Sequence, residues 1–199
     1  NPQSPGSECL SGLSASGHDS ALQLAAFVQE RAGKYWADAG HDSGDTYVLT
    51  STMLRAVDSV CFGTSCHEQT SALNPIDKGA IGAGWWDVEC HADMPPWEEV
   101  ERHHPEFFAQ WKQDPLRCRF PGGESYMDVI SRLEGLLVDV EMCTRPVLIV
   151  SHITTLQLLA AYFRGVPVEQ AWEIPFCKNT VLEVTPTRGG GFSCEEHDP

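Results

Sequence analysis

Val147, Leu148, Ile149 and Val150 form an unbroken run of branched apolar residues, entered through Pro146 and closed by Ser151-His152. Such a run predicts a strand buried on both faces, of the kind found in parallel sheets covered by helices. Residues 153–163 carry apolar positions at helical spacing and stop at Gly165 and Pro167, so a helix follows. Residues 46–50 predict a second short buried strand, with Ser51 placed to cap a helix that carries Arg55. Val181 to Val184 predicts a last strand. Helical periodicity covers 14–32, through Leu22, Ala25, Ala26 and Val28. It covers 125–142 through Val129, Ile130, Leu133, Leu136, Leu137 and Val140, with Ser125 and Asp128 as a capping box. A shorter helix is expected over 105–112.

The segments between these elements read as connections. Residues 1–12, rich in Pro, Ser and Gly, predict a loop or a truncated end. Residues 33–45 are polar, and 73–79 are turn-rich. Residues 82–101, with Trp85, Trp86, Trp97 and Pro95-Pro96, predict a long loop. It is either a lid over a site or an insertion held down by its tryptophans. The glycine run and acidic end of 187–199 predict a disordered tail. Helices alternating with strands give an α/β domain over 13–186, with three α/β/α layers and a mainly parallel central sheet.

Composition narrows the function. A chain of 199 residues, 42% hydrophobic, can bury the core of one domain. No apolar run is long enough to span a bilayer, and no signal peptide is evident. The formal charge of -15 argues against nucleic acid and anionic membranes. An anionic substrate then needs a local cluster of Arg, Lys and His. Eight cysteines without a C-x-x-C pair read as reduced thiols in a cytoplasmic protein. Cys66-His67, Cys90-His91 and His103-His104 lack the spacing of a tetrahedral site, so no metal is expected.

Two positions carry candidate chemistry. His152 stands at a strand-to-helix turn, at the sheet edge where open α/β folds bind ligands and helix N-termini attract anions. It is either a phosphate ligand or a plain helix cap. Arg55, just beyond the other strand, either grips phosphate in bidentate fashion or is an ordinary exposed helix arginine. Arg117 and Arg119 alternate about Cys118 and share one side if the backbone is extended. A glycine-rich phosphate loop and a Gly-x-Ser-x-Gly elbow are both missing from the sequence. What remains suits attack on phosphorus by a nitrogen nucleophile, with a carboxylic acid to protonate the departing oxygen.

Several longer stretches carry a resemblance. They are residues 12–17 (Gly-Leu-Ser-Ala-Ser-Gly), 49–55 (Leu-Thr-Ser-Thr-Met-Leu-Arg) and 73–79 (Leu-Asn-Pro-Ile-Asp-Lys-Gly). His104-Pro105-Glu106, residues 117–126 with Pro-Gly-Gly-Glu-Ser-Tyr, Val150-Ser151-His152 and residues 180–186 continue it. Over about 12–186 the chain resembles the histidine phosphatase (phosphoglycerate mutase-like) superfamily. Within it, the nearest likeness is the bisphosphatase half of the 6-phosphofructo-2-kinase/fructose-2,6-bisphosphatases. The resemblance implies fructose 2,6-bisphosphate as substrate, a phosphohistidine intermediate, no cofactor, a kinase domain in the same polypeptide and a homodimer. It implies that Arg55 clamps phosphate and His152 supports the phosphoryl group. It assigns substrate contacts to Arg117, Arg119 and Tyr126, with Gln157, which stands where the family has Arg, as a further substrate-binding candidate.

The chain also departs from that pattern. The family's nucleophile lies in an Arg-His-Gly motif on a first strand, and none of the eight histidines here has that setting. Pro75 stands where the bisphosphatases carry their acid, leaving Asp77, or Asp87 or Glu89 from the following loop, as the substitute. Trp97, Trp111 and Pro115 replace a tyrosine and basic residues. These departures leave two further readings: a phosphatase-fold module without catalysis, and a phosphatase for another phosphomonoester.

Overall fold

In a computed structural model describing residues 13–60, 66–83, 97–177 and 179–199, three parallel strands make the central sheet. They are β1 (Tyr47–Thr50), β2 (Cys66–Gln69) and β3 (Val147–Val150), in the order β2-β1-β3. Leu49 lies between Glu68 and Ile149, and Thr50 between Gln69 and Val150. Helices accompany the sheet: α1 (Ala15–Asp38), α2 (Leu54–Asp58), α3 (Gly79–Ala83), α4 (Trp97–His103), α5 (Pro105–Gln113), α6 (Tyr126–Met142) and α7 (Ile153–Arg164). The expected α/β class with a parallel sheet is therefore observed.

Helix α1 starts where Ser14 Oγ accepts the Gly17 amide at 3.1 Å. It does not stop near Ala32 as expected. Gly33 alone costs about 1 kcal/mol in a helix, too little to break one that continues through good helix formers. Its last turn is tied down by Tyr35, whose hydroxyl donates to the Thr144 carbonyl at 3.0 Å. Helix α6 has the expected capping box, with Asp128 and Ser125 bonding one another's backbone amides. Val129 and Leu133 from its apolar stripe are fully buried against Leu49, Phe107, Phe120 and Leu158.

The structure corrects four expectations. Residues 97–103 of the supposed loop are helix α4, which buries Val100; Trp85, Trp86, Asp87, Glu89, Cys90 and His91 lie outside the described residues. Strand β2 was not expected, because Cys-His-Glu-Gln shows no apolar run and only its pairing with β1 makes it a strand. The supposed disordered tail contains β5 (Phe192–His197), antiparallel to β4 (Val181–Pro186), with Val184 opposite Cys194. Its glycine run is the hairpin turn, with Gly190 and Gly191 at φ of 81° and 80°. Finally, β3 is half-buried rather than buried on both faces. It is the last strand of its sheet, and no described strand covers its outer side.

Two loops press together beneath the site. The Glu124 amide donates to the Asp77 carbonyl at 2.7 Å, and the Ala80 amide to the Pro121 carbonyl at 2.8 Å. A Cβ on Gly123 would stand 2.2 Å from the Asp77 carbonyl oxygen, while one on Gly135 meets nothing within 4 Å. Gly123→Ala should therefore cost about 1–3 kcal/mol in urea unfolding. Gly135→Ala, on the exposed face of α6, should gain up to about 1 kcal/mol. Equal effects at the two positions would count against this close approach.

Candidate active site

Strands β1 and β3 end at the same level, so Ser51 and Ser151 leave their carboxyl ends side by side. His152 follows as the residue before α7, and its side chain makes no capping bond to that helix. The ring turns instead toward the end of β1. Its Nε2 lies 2.8 Å from Ser51 Oγ, and its Nδ1 lies 3.1 Å from Arg55 Nη2. A guanidinium only donates, so Nδ1 accepts and carries no proton; Nε2 then donates to Ser51. Ser51 Oγ in turn accepts the Met53 amide at 3.2 Å. Ser51 thus does not cap α2, whose first flanking residue is Met53, but links His152 to the turn that presents Arg55.

His152 is 7% exposed. Burial, then the nearby charges of Arg55 and Arg132, hold its pKa down to about 3. The imidazole is neutral at physiological pH. It can donate through one nitrogen and accept through the other. Next to a guanidinium at a helix N-terminus, this arrangement can bind an anion such as phosphate.

Arg132 of α6 braces the site from below. Its guanidinium donates to the carbonyls of Ser71 and Ala72, and to those of Asn74 at 2.7 Å and Pro75 at 3.3 Å. It also meets the Glu124 carboxylate at 3.1 Å. Asn74 accepts the Thr52 amide and hydroxyl through Oδ1, both at 2.9 Å. The Ser151 and Thr155 hydroxyls donate to the carbonyls of Leu73 at 2.6 Å and Asn74 at 3.0 Å. The loop carrying Pro75 is thus fastened to β1, α6 and α7 together. Arg132 and Asn74 were not singled out from the sequence, and Ser51 was read only as a helix cap. The available signal was an arginine on the core side of α6, between Val129 and Leu133.

The other candidates fall into two groups. Arg55, His152, Asp77, Tyr126 and Gln157 all line one cavity of about 2590 Å³. Asp77 Oδ1 accepts the Gly79 amide at 2.8 Å, and its own amide donates to Glu124 Oε2 at 2.9 Å. The carboxylate therefore holds a turn in the cavity wall. Tyr126 is buried beside Trp172, with ring centroids 5.5 Å apart, and burial pushes its pKa up. Gln157 Nε2 donates to the carbonyls of Ile174 at 2.9 Å and Trp172 at 3.2 Å, which anchors the 3-10 turn Val168–Glu173.

Arg117 and Arg119 do not join that group. Residues 115–117 form a turn, so the extended geometry that put both arginines on one side is corrected. Arg117 pairs with Asp114 at 3.4 Å, and Arg119 with Asp128 at 2.5 Å. Neither lines the cavity.

Among the described residues, Glu183, Glu195 and His197 on the β4–β5 hairpin have donor atoms within 4.8 Å of one another. The Arg31 guanidinium already lies 3.7 Å from Glu183 and 3.5 Å from His197 Nδ1. A cation is thus supplied there by the protein itself. No described helix is long and apolar enough to cross a membrane.

Comparisons with known proteins agree with the fold. The model of the histidine phosphatase superfamily (branch 1) matches residues 86–198. The chain is 34% identical over 177 residues to a 6-phosphofructo-2-kinase/fructose-2,6-bisphosphatase of Arabidopsis thaliana. That match covers 86% of the chain and 21% of the relative. It is 33% identical over 183 residues to the human 6-phosphofructo-2-kinase/fructose-2,6-bisphosphatase 1, covering 90% of the chain and 34% of the relative. The chain thus spans between about a fifth and about a third of these relatives' length. Among solved structures, the alpha-ribazole phosphatase from Shigella flexneri superposes with a TM-score of 0.68 at 19% identity, covering 94% of this chain and 84% of that one. Bacillus stearothermophilus YhfR superposes at 0.63 with 24% identity, covering 92% and 82%.

Proposed function

The chain belongs to the histidine phosphatase superfamily, and from that premise we propose that its site binds and hydrolyses a phosphate ester in the manner of a fructose-2,6-bisphosphatase domain. The observation that carries this reading is the pairing of buried His152 with half-buried Arg55 at the adjoining ends of β3 and β1. In the reaction, the lone pair of a histidine nitrogen attacks phosphorus and the ester P–O bond breaks. The departing alkoxide takes a proton from an acid, and water then cleaves the P–N bond to release phosphate. Arg55 gathers the phosphoryl oxygens. His152 donates one hydrogen bond to them, taking the place of its bond to Ser51. None of the eight histidines has the Arg-His-Gly setting of the family's nucleophile. On this reading the chain is one part of a protein that also contains a kinase domain.

Inorganic phosphate binding tests the site without requiring turnover. Titration calorimetry should detect phosphate binding to the chain, weakened about tenfold or more by Arg55→Ala, which removes a charge-assisted contact. Unchanged affinity in Arg55→Ala would remove the reading's main support.

A second reading concerns the substrate. Arg117 and Arg119 lie off the cavity, while Trp97 and Trp111 stack at 4.0 Å in its wall. With a net charge of -15, this wall favours an ester with one phosphate over a doubly phosphorylated sugar. Fructose 6-phosphate and fructose 2,6-bisphosphate should then bind within about threefold of each other, because Arg117 and Arg119 do not line the cavity to meet the second phosphate. A gain of tenfold or more for the bisphosphate would restore the first substrate.

A further inference from the structure

Helix α4 carries five ionisable residues in seven, and α5 two in nine. From both helices together, only Trp97 and Trp111 line the cavity that holds His152 and Arg55. Most of the charges are engaged with one another. Glu99 pairs with Arg102 at 2.7 Å and with His103 at 3.4 Å, and Glu101 pairs with Lys112 at 3.5 Å. Lys112 Nζ also lies 4.1 Å from the centroid of the Phe108 ring. What α4 and α5 present to the cavity is therefore indole alone.

The two indoles make a stiff wall. Their rings stack with centroids 4.0 Å apart at 29°, and Trp97 meets Phe108 at 5.7 Å. Both are half-buried and pack against the main core, so they hold their places without a ligand. A tryptophan has only two side-chain torsions and loses little freedom when another ring packs on it. Trp172 and Phe176 add two more half-buried rings to the lining. Trp172 rests against Tyr126, and its carbonyl is held by Gln157. Gln157 stands on α7 five residues beyond His152, about 7 Å along the helix axis. The aromatic lining thus begins close to the phosphate-binding pair. Of the carboxylates in that lining, Glu124 is engaged by Arg132 and Asp77 by the Gly79 amide.

We propose that Trp97 and Trp111, with Trp172 and Phe176, form a leaving-group subsite, and that it takes a phosphate monoester of an alcohol bearing a flat aromatic ring. The inference rests on the function proposed above and names its substrate class. The phosphoryl group sits on Arg55 and His152, and the ring extends from the ester oxygen onto the indoles. There it leaves water and gains stacked or edge-to-face contact. A polyol gains less from the same wall. Its hydroxyls lose water on entering, and each one left without a new partner weakens binding. Helices α4 and α5 offer those hydroxyls no charged or amide side chain in the cavity.

Titration calorimetry of the full chain with inorganic phosphate, methylphosphonate, benzylphosphonate and fructose 6-phosphate tests this. Benzylphosphonate should bind about tenfold or more tightly than methylphosphonate, which shares the phosphonate and lacks the ring. In Trp111→Ala that ratio should fall below about threefold. If this variant does not fold, Trp111→Leu keeps apolar bulk without the flat face and should lower the ratio by about threefold or more. A ratio below about threefold in the parent, with inorganic phosphate still bound, would overturn the subsite and leave the phosphate site standing. Tighter binding of fructose 6-phosphate than of benzylphosphonate would overturn it as well, as would a ratio that survives substitution of Trp111. Equal binding of benzylphosphonate by Arg55→Ala would put the ring away from the phosphate pair, which also overturns the proposal. No binding of phosphate or of either phosphonate would remove the function proposed above and the subsite with it.

Discussion

Truncation of Arg132 to alanine should lower the unfolding free energy by about 2–4 kcal/mol, more than any other single arginine in this chain. The guanidinium serves carbonyls of four residues in the 71–75 loop and a carboxylate from the loop before α6. Removing it leaves Glu124 without its counter-charge, and at 24% side-chain exposure water compensates only in part. Arg132→Lys should recover less than half of the loss. A single ammonium cannot span acceptors that a planar five-donor fork reaches at once. Urea unfolding followed by tryptophan fluorescence measures the difference. A cost below about 0.5 kcal/mol, as for an ordinary surface ion pair, would show that the loop holds itself. The same variant should weaken phosphate binding although Arg132 does not approach the His152 ring closely enough to bond it. Asn74, which holds Thr52 beside the Arg55 turn, loses part of its anchorage.

Most of the scaffold was legible because its signals are local. The capping box and stripe of α6 lie within eighteen residues, and the strand at 147–150 declares itself by four consecutive branched residues. What escaped depends on distant partners. Strand β2 is polar and exists because β1 pairs with it. Strand β5 was hidden by a glycine run that proved to be its turn. Arg132 reads as one more helix arginine, since the carbonyls it serves lie 57 to 61 residues away. His152 and Arg55 were legible because strand ends in parallel sheets gather at one edge, so position alone brought them together. Arg117 and Arg119 were misplaced by an assumed extended backbone, where Leu116 instead buries itself within a turn.

Acid should destabilise this protein through His152 in a window well above the usual carboxylate range. The folded-state pKa is held down to about 3, whereas a histidine in the unfolded chain titrates near its ordinary value of 6.5. Between those values the unfolded state binds a proton that the folded state refuses, so stability falls as the pH falls from 6.5 toward 3. The expected slope from this one residue approaches about 1.4 kcal/mol per pH unit in the middle of the window. Asp128, whose carboxyl is held low by its bonds to Ser125 and by Arg119, also loses stabilisation in acid. Its contribution begins below its own ordinary value of 3.8, so the two separate between pH 4 and 6.5. His152→Gln keeps a neutral donor without a titrating ring, and its stability should be nearly flat from pH 6.5 to 4 where the parent's declines. Parallel curves for the two proteins would mean that His152 takes up its proton while folded, which would contradict the buried Arg55-facing geometry. Phosphate at saturating concentration should flatten the parent's curve as well, because an anion beside the ring favours the imidazolium and moves the folded pKa back toward that of the unfolded chain. In Arg55→Ala that flattening should be lost along with phosphate binding, which ties the acid response to the ligand site rather than to burial alone.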